Sequence, residues 1–325
     1  SEIPTLSLKE YIPLMVLNTY QNLFNSKNYK FINCENEFNE VDEFIKNNWL
    51  DRLFVERLEQ KSIFIKELLD YTNNDWEQVL FLMLLKTFGS KINREAFIEI
   101  GKSIDFSIIR KLNDKPLQME SLFLGQANLL GSTLEDDKYY SELKKEYQFL
   151  NHKFNLSPVF KSPEFFRLRP SNFPTIRLAQ LSAIYANNNN LFHALIENNE
   201  PNFSDILKSG TSKYWDTHFN FGKISKKSKK GISNSFLNLL VINTIIPLKF
   251  AYSRYKGGLE NELFLKMMSE IKKEENSIIA NFGKLGISIK SAKDSQTYLQ
   301  LYNNYCTKDK CLDCAVGASL MNVKV

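Results

Sequence analysis

The sequence predicts an all-α, predominantly helical protein, with room for a short strand remnant at the N-terminus. Glycine and proline number only 12 and 9 among 325 residues, so few positions favour the tight turns that join short strands. Apolar residues instead recur every three or four positions over long stretches, which is typical of amphipathic helices. Ile3, Leu6 and Leu8 resemble the end of a strand that needs a partner.

Helices follow one another through the first half of the chain. Apolar residues keep helical spacing from Glu43 to Leu69. Asp75 has the type and position of an N-cap for a helix that runs from Trp76 to about Phe88 and ends at Gly89. Three more helices are predicted at 93–101, 116–131 and 139–155.

Helices also dominate the second half, after a segment with three prolines at 156–172. This segment is the predicted boundary between an acidic helical domain, residues 1–155, and a basic helical domain, residues 156–325. Ser291 and Asp294 form a capping-box-like pair at the start of the last helix. The predicted helices of this half are 174–186, one from Leu191, 235–255, 260–283 and 291–306.

Charge is divided unevenly along the chain. Residues 1–150 carry a net charge of −6 and residues 151–325 carry +11. A basic half of this kind can attract nucleic acid, an acidic partner or a membrane surface, and it is equally typical of a soluble domain from a lysine-rich proteome. Charge alone does not choose between these alternatives.

The sequence contains no pattern typical of a membrane span or a secretion signal. Its most apolar stretch, 236–251, is interrupted by Asn238, Asn243, Pro247 and Lys249, so it falls short of about 18 apolar residues in a row. The N-terminus lacks the basic and apolar regions of a signal peptide. We therefore expect a cytoplasmic protein that does not insert into a membrane.

The segment 165–181 is the first candidate site. Arg167, Arg169 and Arg177 surround a turn that contains Asn172 and leads into a helix start. A helix N-terminus has unpaired N–H groups and a positive dipole end, and guanidinium groups match phosphate or carboxylate oxygens. The pattern indicates an anion site, with structural salt bridges or helix caps as the alternative.

The second candidate site is the segment 214–223, which reads YWDTHFNFGK. Aromatic rings such as that of Trp215, interleaved with cations, can stack on bases and neutralise phosphates. Asp216 and His218 form an acid–histidine pair that can move protons or bind metal, so they are the candidate catalytic residues. The alternative is an aromatic loop that seals the core, with His218 hydrogen-bonded inside.

A lysine-rich tract follows directly. Lysines in a segment with glycine and serine can bind the backbone of DNA or RNA without sequence specificity. A solvated run of charge is the alternative. The candidate residues are Lys223, Lys226, Lys227, Lys229 and Lys230.

Three of the four cysteines, Cys306, Cys311 and Cys314, lie within nine residues. In a cytosolic chain such clustering favours metal or redox chemistry over disulfides. Zinc is the preferred metal, ahead of an iron–sulfur cluster, because no fourth cysteine follows downstream as it does in plant-type ferredoxins. Reduced thiols without metal are the alternative. The candidate fourth ligands are an acidic residue, Cys34, His193 and His218.

Six segments carry a resemblance to a known family. They are FGSKINREAF (88–97), LFLGQANLLG (122–131), FFRLRPSNFPTIRLAQLSAIY (165–185), YWDTHFNFGK (214–223), SNSFLNLLVINTIIPLKFAY (233–252) and SAKDSQTYLQLYNNYCTKDKCLDC (291–314). In this order they resemble an uncharacterised bacterial family, domain of unknown function 2851. The resemblance implies a preceding β-rich, nuclease-like segment, and we expect this chain to begin just after it, near Pro4, without its carboxylates.

We therefore expect a nucleic-acid-binding helical module from a nuclease-like or nucleic-acid-processing bacterial protein, with DNA and RNA both open. The chain lacks the GxxxxGK[ST], GxGxxG, HExxH and GxSxG patterns, and whether it is an enzyme stays open. One alternative is an enzyme that acts on an anionic small substrate through Asp216, His218 and the arginine cluster. Another is a protein-interaction scaffold with a structural zinc.

Overall fold

The computed structural model describes residues 4–5, 7, 11–24, 30–132, 134, 136–198, 202–208, 210–258 and 261–321. Helices predominate, which confirms the predicted fold class. The predicted strand residues Ile3, Leu6 and Leu8 lie outside the described residues.

Fifteen α-helices form within the described residues. They are α1 (Leu14–Phe24), α2 (Glu43–Tyr71), α3 (Trp76–Phe88), α4 (Arg94–Lys102), α5 (Phe106–Lys111), α6 (Pro116–Gln126), α7 (Lys138–Phe154), α8 (Pro174–Asn187), α9 (Phe203–Leu207), α10 (Asn234–Leu240), α11 (Ile246–Tyr255), α12 (Asn261–Glu270), α13 (Ser277–Lys284), α14 (Ala292–Asn304) and α15 (Ala315–Leu320). Strands β1 (His218–Asn220) and β2 (Lys223–Ile224) form an antiparallel hairpin. Two π-helical turns occupy His193–Glu197 and Val241–Ile245.

The chain folds as two compact units. Unit 1 comprises residues 1–61 and 259–325, and unit 2 comprises residues 62–258. The first division falls within α2, and the second falls after α11. The proline-containing segment 156–172, where we placed a domain boundary, lies inside unit 2.

The core of unit 1 forms where α2, α13 and α14 bury apolar side chains against one another. Trp49 of α2 is buried in one cluster with Phe282 of α13 and Leu301 of α14. Burial of such large side chains is the main stabilising contribution to a core. A polar pair also joins α2 to α14, because Arg57 donates from Nε to Gln296 Oε1 at 2.5 Å.

Unit 2 is built around α3, α6 and α8. Helix α3 packs on α4, and α6 packs on both α7 and α8. Every residue of α8 from Pro174 to Ala186 is buried. The helical run Asn234–Tyr255 is long and apolar enough to cross a membrane. However, 67% of its most apolar 18-residue stretch is buried within the fold, as expected of a core helix.

Two predicted helix starts are confirmed and one predicted helix is wrong. Asp75 caps α3 by accepting from the Gln78 amide at 3.0 Å, and Ser291 and Asp294 form the predicted capping box of α14. The single helix predicted at 260–283 is instead α12 and α13. Asn276 causes the second start, since its side chain accepts from the Ile279 amide at 3.0 Å, competing with continuous helix.

Candidate functional site

Arg177 lies inside unit 2, and polar and aromatic side chains surround its charge. Its guanidinium donates to Asn172 Oδ1 at 2.6 Å and to Gln180 Oε1 at 2.9 Å. It also lies 3.5 Å from the centroid of the Phe236 ring. Burial lowers the pKa of Arg177 to about 10. The amide oxygens and the ring replace water around the charge, so Arg177 and Asn172 have a structural role.

Arg167 and Arg169 are exposed, in contrast to Arg177. Arg167 has a left-handed backbone conformation with φ of +62°, and its guanidinium lies 5.1 Å from the Phe166 ring centroid. Phe160 and Phe166 are themselves highly exposed. Within the described residues, neither arginine makes an ion pair. Residues 160–169, hereafter the arginine loop, therefore present cations and aromatic rings to solvent.

The β1–β2 hairpin is anchored to the start of α7 through Asp137. Gly222, with φ of +69°, donates its amide to Asp137 Oδ2 at 3.1 Å, and the Tyr214 hydroxyl donates to the same carboxylate. Asp137 also caps α7 by accepting from the Tyr140 amide at 3.0 Å. Burial opposes ionisation, but these hydrogen bonds prevail and lower the pKa of Asp137.

His218 ends a stack of three aromatic rings. Its imidazole lies 4.0 Å from the Tyr214 ring at an angle of 5°, and Tyr214 stacks at 4.6 Å on Tyr139. His218 Nδ1 lies 3.0 Å from the Tyr214 carbonyl oxygen.

The predicted Asp216–His218 pair is not joined by a hydrogen bond among the described residues. Asp216 instead uses its backbone carbonyl, which accepts from the Ser228 amide at 2.8 Å and from Lys230 Nζ at 3.3 Å. The two candidate catalytic residues are therefore neighbours in sequence without forming an acid–base couple.

Trp215 is fully buried and closes the core below the hairpin. Its indole Nε1 donates to Glu120 Oε1 at 2.6 Å. Glu120 is itself buried on α6, and burial raises its pKa to about 7. Glu120 was not among the residues predicted from the sequence, although a lone acid inside the apolar run from Met119 to Leu124 signals a buried polar contact. Trp215 does not offer a surface for stacking.

The lysine tract separates into one buried residue and four exposed ones. Lys230 is buried: its Nζ donates to the Ser228 carbonyl at 2.9 Å and lies 4.0 Å from the Phe219 ring centroid. The other members make no ion pair with any residue that the structure describes. These exposed members are Lys223, Lys226, Lys227 and Lys229.

A cleft with a volume of about 540 Å³ joins the arginine loop to the hairpin. Phe165 of the arginine loop lines it together with Asn220 and Phe221 of the hairpin. Asn128 and Ser132 add polar groups from the segment after α6. The structure thus brings two sequence-predicted segments to a single concave surface, hereafter the polar cleft.

The cysteines form a second candidate site, within unit 1. Cys34, Cys306, Cys311 and Cys314 all line one cavity of about 20 Å³. All four are free thiols. Burial, together with the neighbouring thiols, raises the pKa of Cys34 to about 12, and burial likewise raises the pKa of the other three. Neither His193 nor His218 lines this cavity.

The zinc prediction gains no support from the arrangement of these thiols. Among the residues that the structure describes, no three side chains of His, Cys, Asp or Glu are grouped to hold a single metal ion. Of the fourth ligands considered from the sequence, Cys34 is the one that the fold brings to the other three cysteines.

Comparison with known proteins places the chain in a family. The sequence profile of the family described as Protein of unknown function (DUF2851) matches residues 1–277 of the 325, so the chain belongs to that family, as predicted. The match lends no support to the expected absence of an N-terminal segment, and it does not reach the segment 291–314. No curated protein and no solved structure matches the chain.

Proposed function

We propose that this member of the DUF2851 family binds single-stranded nucleic acid across the polar cleft of unit 2. The supporting observation is that Phe165 of the arginine loop and Phe221 of the hairpin line the same cleft. Sequence-tolerant binders of single strands combine aromatic rings that stack on bases with cations that follow the backbone. Aromatic rings line this cleft, and the cations belong to the two segments that contribute these rings.

The exposed cations of the arginine loop and of the segment after β1 supply the electrostatic attraction. Arg167 and Arg169 belong to the arginine loop, and the exposed lysines follow β1. Unit 2 as a whole contains 26 Lys and Arg residues against 19 Asp and Glu residues, whereas unit 1 contains 16 against 18. A basic unit attracts a polyanion and releases its counterions.

The bases would enter the cleft, where the half-buried Phe165 provides the apolar contact and the buried Phe221 forms part of the wall. Asn128 and Asn220 present amide groups that donate to and accept from base edges. These amides discriminate only weakly, so we expect little sequence preference. Trp215, Arg177 and Lys230 are buried and act by holding the hairpin and α8 in place.

Fluorescence anisotropy with labelled 12-nucleotide DNA and RNA oligomers tests the proposal. We expect affinity to fall steeply between 50 and 200 mM salt, because several phosphates are neutralised (about 0.7 in log–log slope per contact). The triple variant Lys226→Ala/Lys227→Ala/Lys229→Ala should lose affinity and reduce the slope by about 2. Phe165→Ala should weaken binding by about 1–3 kcal/mol without changing the slope.

The control is the double variant Lys111→Ala/Lys115→Ala, which removes exposed charge from unit 2 outside the two segments. It should bind nearly as tightly as the natural sequence. Binding that is absent, insensitive to salt, or lost equally in the control would reject the proposed interface. The two oligomers decide between DNA and RNA.

A further inference from the structure

We infer that unit 1 holds an iron–sulfur cluster, bound by the thiolates of Cys34, Cys306, Cys311 and Cys314. This site lies in a different unit from the polar cleft, and it is independent of nucleic-acid binding. Three observations support the cluster: the convergence of the thiols, the absence of a single-ion group among the described side chains and the hydrogen-bond donors around the sulfurs.

All four cysteines of the chain meet at one cavity, although 272 positions separate Cys34 from Cys306. Tertiary contacts hold the two segments together, since the Phe31 ring stacks on Tyr302 at 4.8 Å and Asn33 Nδ2 donates to Asp309 Oδ1 at 2.9 Å. Four thiolates are the usual ligand set of [2Fe–2S] and [4Fe–4S] clusters.

The four thiols share a cavity, yet no three of the described His, Cys, Asp and Glu side chains are grouped to hold a single metal ion. A tetrahedral zinc requires each sulfur to lie about 2.3 Å from one point. The cavity has a volume of about 20 Å³, which is enough for one water molecule or slightly more. A cluster spreads its four ligands over several iron atoms and so fits them farther apart.

Hydrogen-bond donors surround the sulfurs. Asn33 Nδ2 lies 3.8 Å from Cys311 Sγ. The Trp49 indole N–H is buried without a hydrogen-bond partner among the described residues, and Trp49 belongs to the same core cluster as Cys314. Lys310 also lines the cavity. Donors and a cation of this kind stabilise the negative charge on the sulfurs of a cluster.

Loading is a ligand exchange with a cluster held by the four thiolates of a carrier protein: four S–Fe bonds to the carrier break, four form to these cysteines, the four thiol protons pass to the released carrier thiolates, and no electron is transferred.

Elemental analysis of the full-length chain tests the inference. The protein is produced in a host that assembles iron–sulfur clusters and is purified without oxygen. We expect iron and acid-labile sulfide in equal amounts, about two or four of each per chain, with a broad visible absorption. One zinc per chain without sulfide, or metal-free protein with four reactive thiols, would overturn the cluster.

Single variants test the ligands. Cys34→Ser and Cys306→Ser should each lose at least half of the iron, whereas Thr307→Ala, in the same short segment as the cysteines, should keep it. Full iron retention in Cys34→Ser would overturn the four-thiolate assignment. The iron and sulfide content of the unmodified protein decides the metal class. A variant that fails to fold therefore cannot obscure that result.

Discussion

At the residue scale, Glu120 is an acid in a position that favours its neutral form. It is buried on α6, where it accepts a hydrogen bond from the Trp215 indole. Burial raises the pKa of Glu120 from 4.5 to about 7. The folded protein therefore binds a proton that the unfolded chain releases, and this contribution to stability is complete below pH 4.5 and disappears as the pH rises through about 7.

Replacing Glu120 by glutamine should remove this pH dependence. Gln keeps an oxygen that accepts from Trp215 but never ionises. Between pH 5 and pH 8 the natural protein should lose about 2.5 kcal/mol of unfolding free energy that Glu120→Gln retains. Urea denaturation at both pH values measures the difference, with Glu142→Gln on the exposed face of α7 as control. Equal pH dependence in all three proteins would show that Glu120 ionises freely.

Arg177 shows where reasoning from the sequence reaches its limit at this scale. Arginines beside a helix start indicate an anion site, and Arg167 and Arg169 are indeed exposed. The burial of Arg177, however, depends on Phe236, which is 59 positions away in sequence. No pattern of residues near Arg177 in the sequence indicates its contact with Phe236.

At the scale of elements, two helical glycines have opposite surroundings. A Cβ atom on Gly125 of α6 would lie 2.1 Å from the Tyr147 ring of α7, so this glycine allows the two helices to approach closely. A Cβ atom on Gly283 of α13 would meet nothing within 4 Å. Of these two glycines, only the first is required by packing.

The two substitutions to alanine should therefore have opposite signs. Gly125→Ala should cost about 1–3 kcal/mol of stability, because the Tyr147 ring must move out of a packed interface. Gly283→Ala should add about 0.5–1 kcal/mol, since alanine is the better helix former. Chemical denaturation measures both. A neutral Gly125→Ala would mean that the α6–α7 contact adapts without strain.

Helix ends were predictable where one side chain decides them. Asp75 and Ser291 each cap a helix through a local hydrogen bond, so residue type and spacing suffice. The break between α12 and α13 was missed for two reasons: we overlooked the local cap by Asn276, and after α12 Lys272 forms a bridge to Ser291, a partner 19 positions away. The π-helical turn within Val241–Ile245 likewise had no signal that we recognised in its apolar sequence.

At the scale of the whole molecule, the excess of basic residues and the cysteines belong to different units. The basic unit 2 contains the polar cleft and the exposed lysines, and unit 1 contains every cysteine. From the sequence alone, we predicted an acidic first half and a basic second half of the chain. The units differ from these halves because residues from both ends of the chain build unit 1.

Hydrogen exchange on the full chain should separate these roles. On adding a saturating oligonucleotide, amides in 160–169 and 213–230 should become protected, because the ligand covers the arginine loop and the hairpin. Amides in 306–317 should exchange unchanged. Protection confined to the cysteine-containing segment would transfer nucleic-acid binding to unit 1.

The meeting of Cys34 with the C-terminal cysteines has a consequence for how the protein is made. A cluster bound to both Cys34 and Cys306 would close a ring of about 270 residues that contains all of unit 2. Closing a ring of that size removes chain entropy worth on the order of 5 kcal/mol from the unfolded state. Unit 1 cannot gain this stabilisation until the last of its ligands has been synthesised. The amount of mature protein in a cell should then follow the supply of iron.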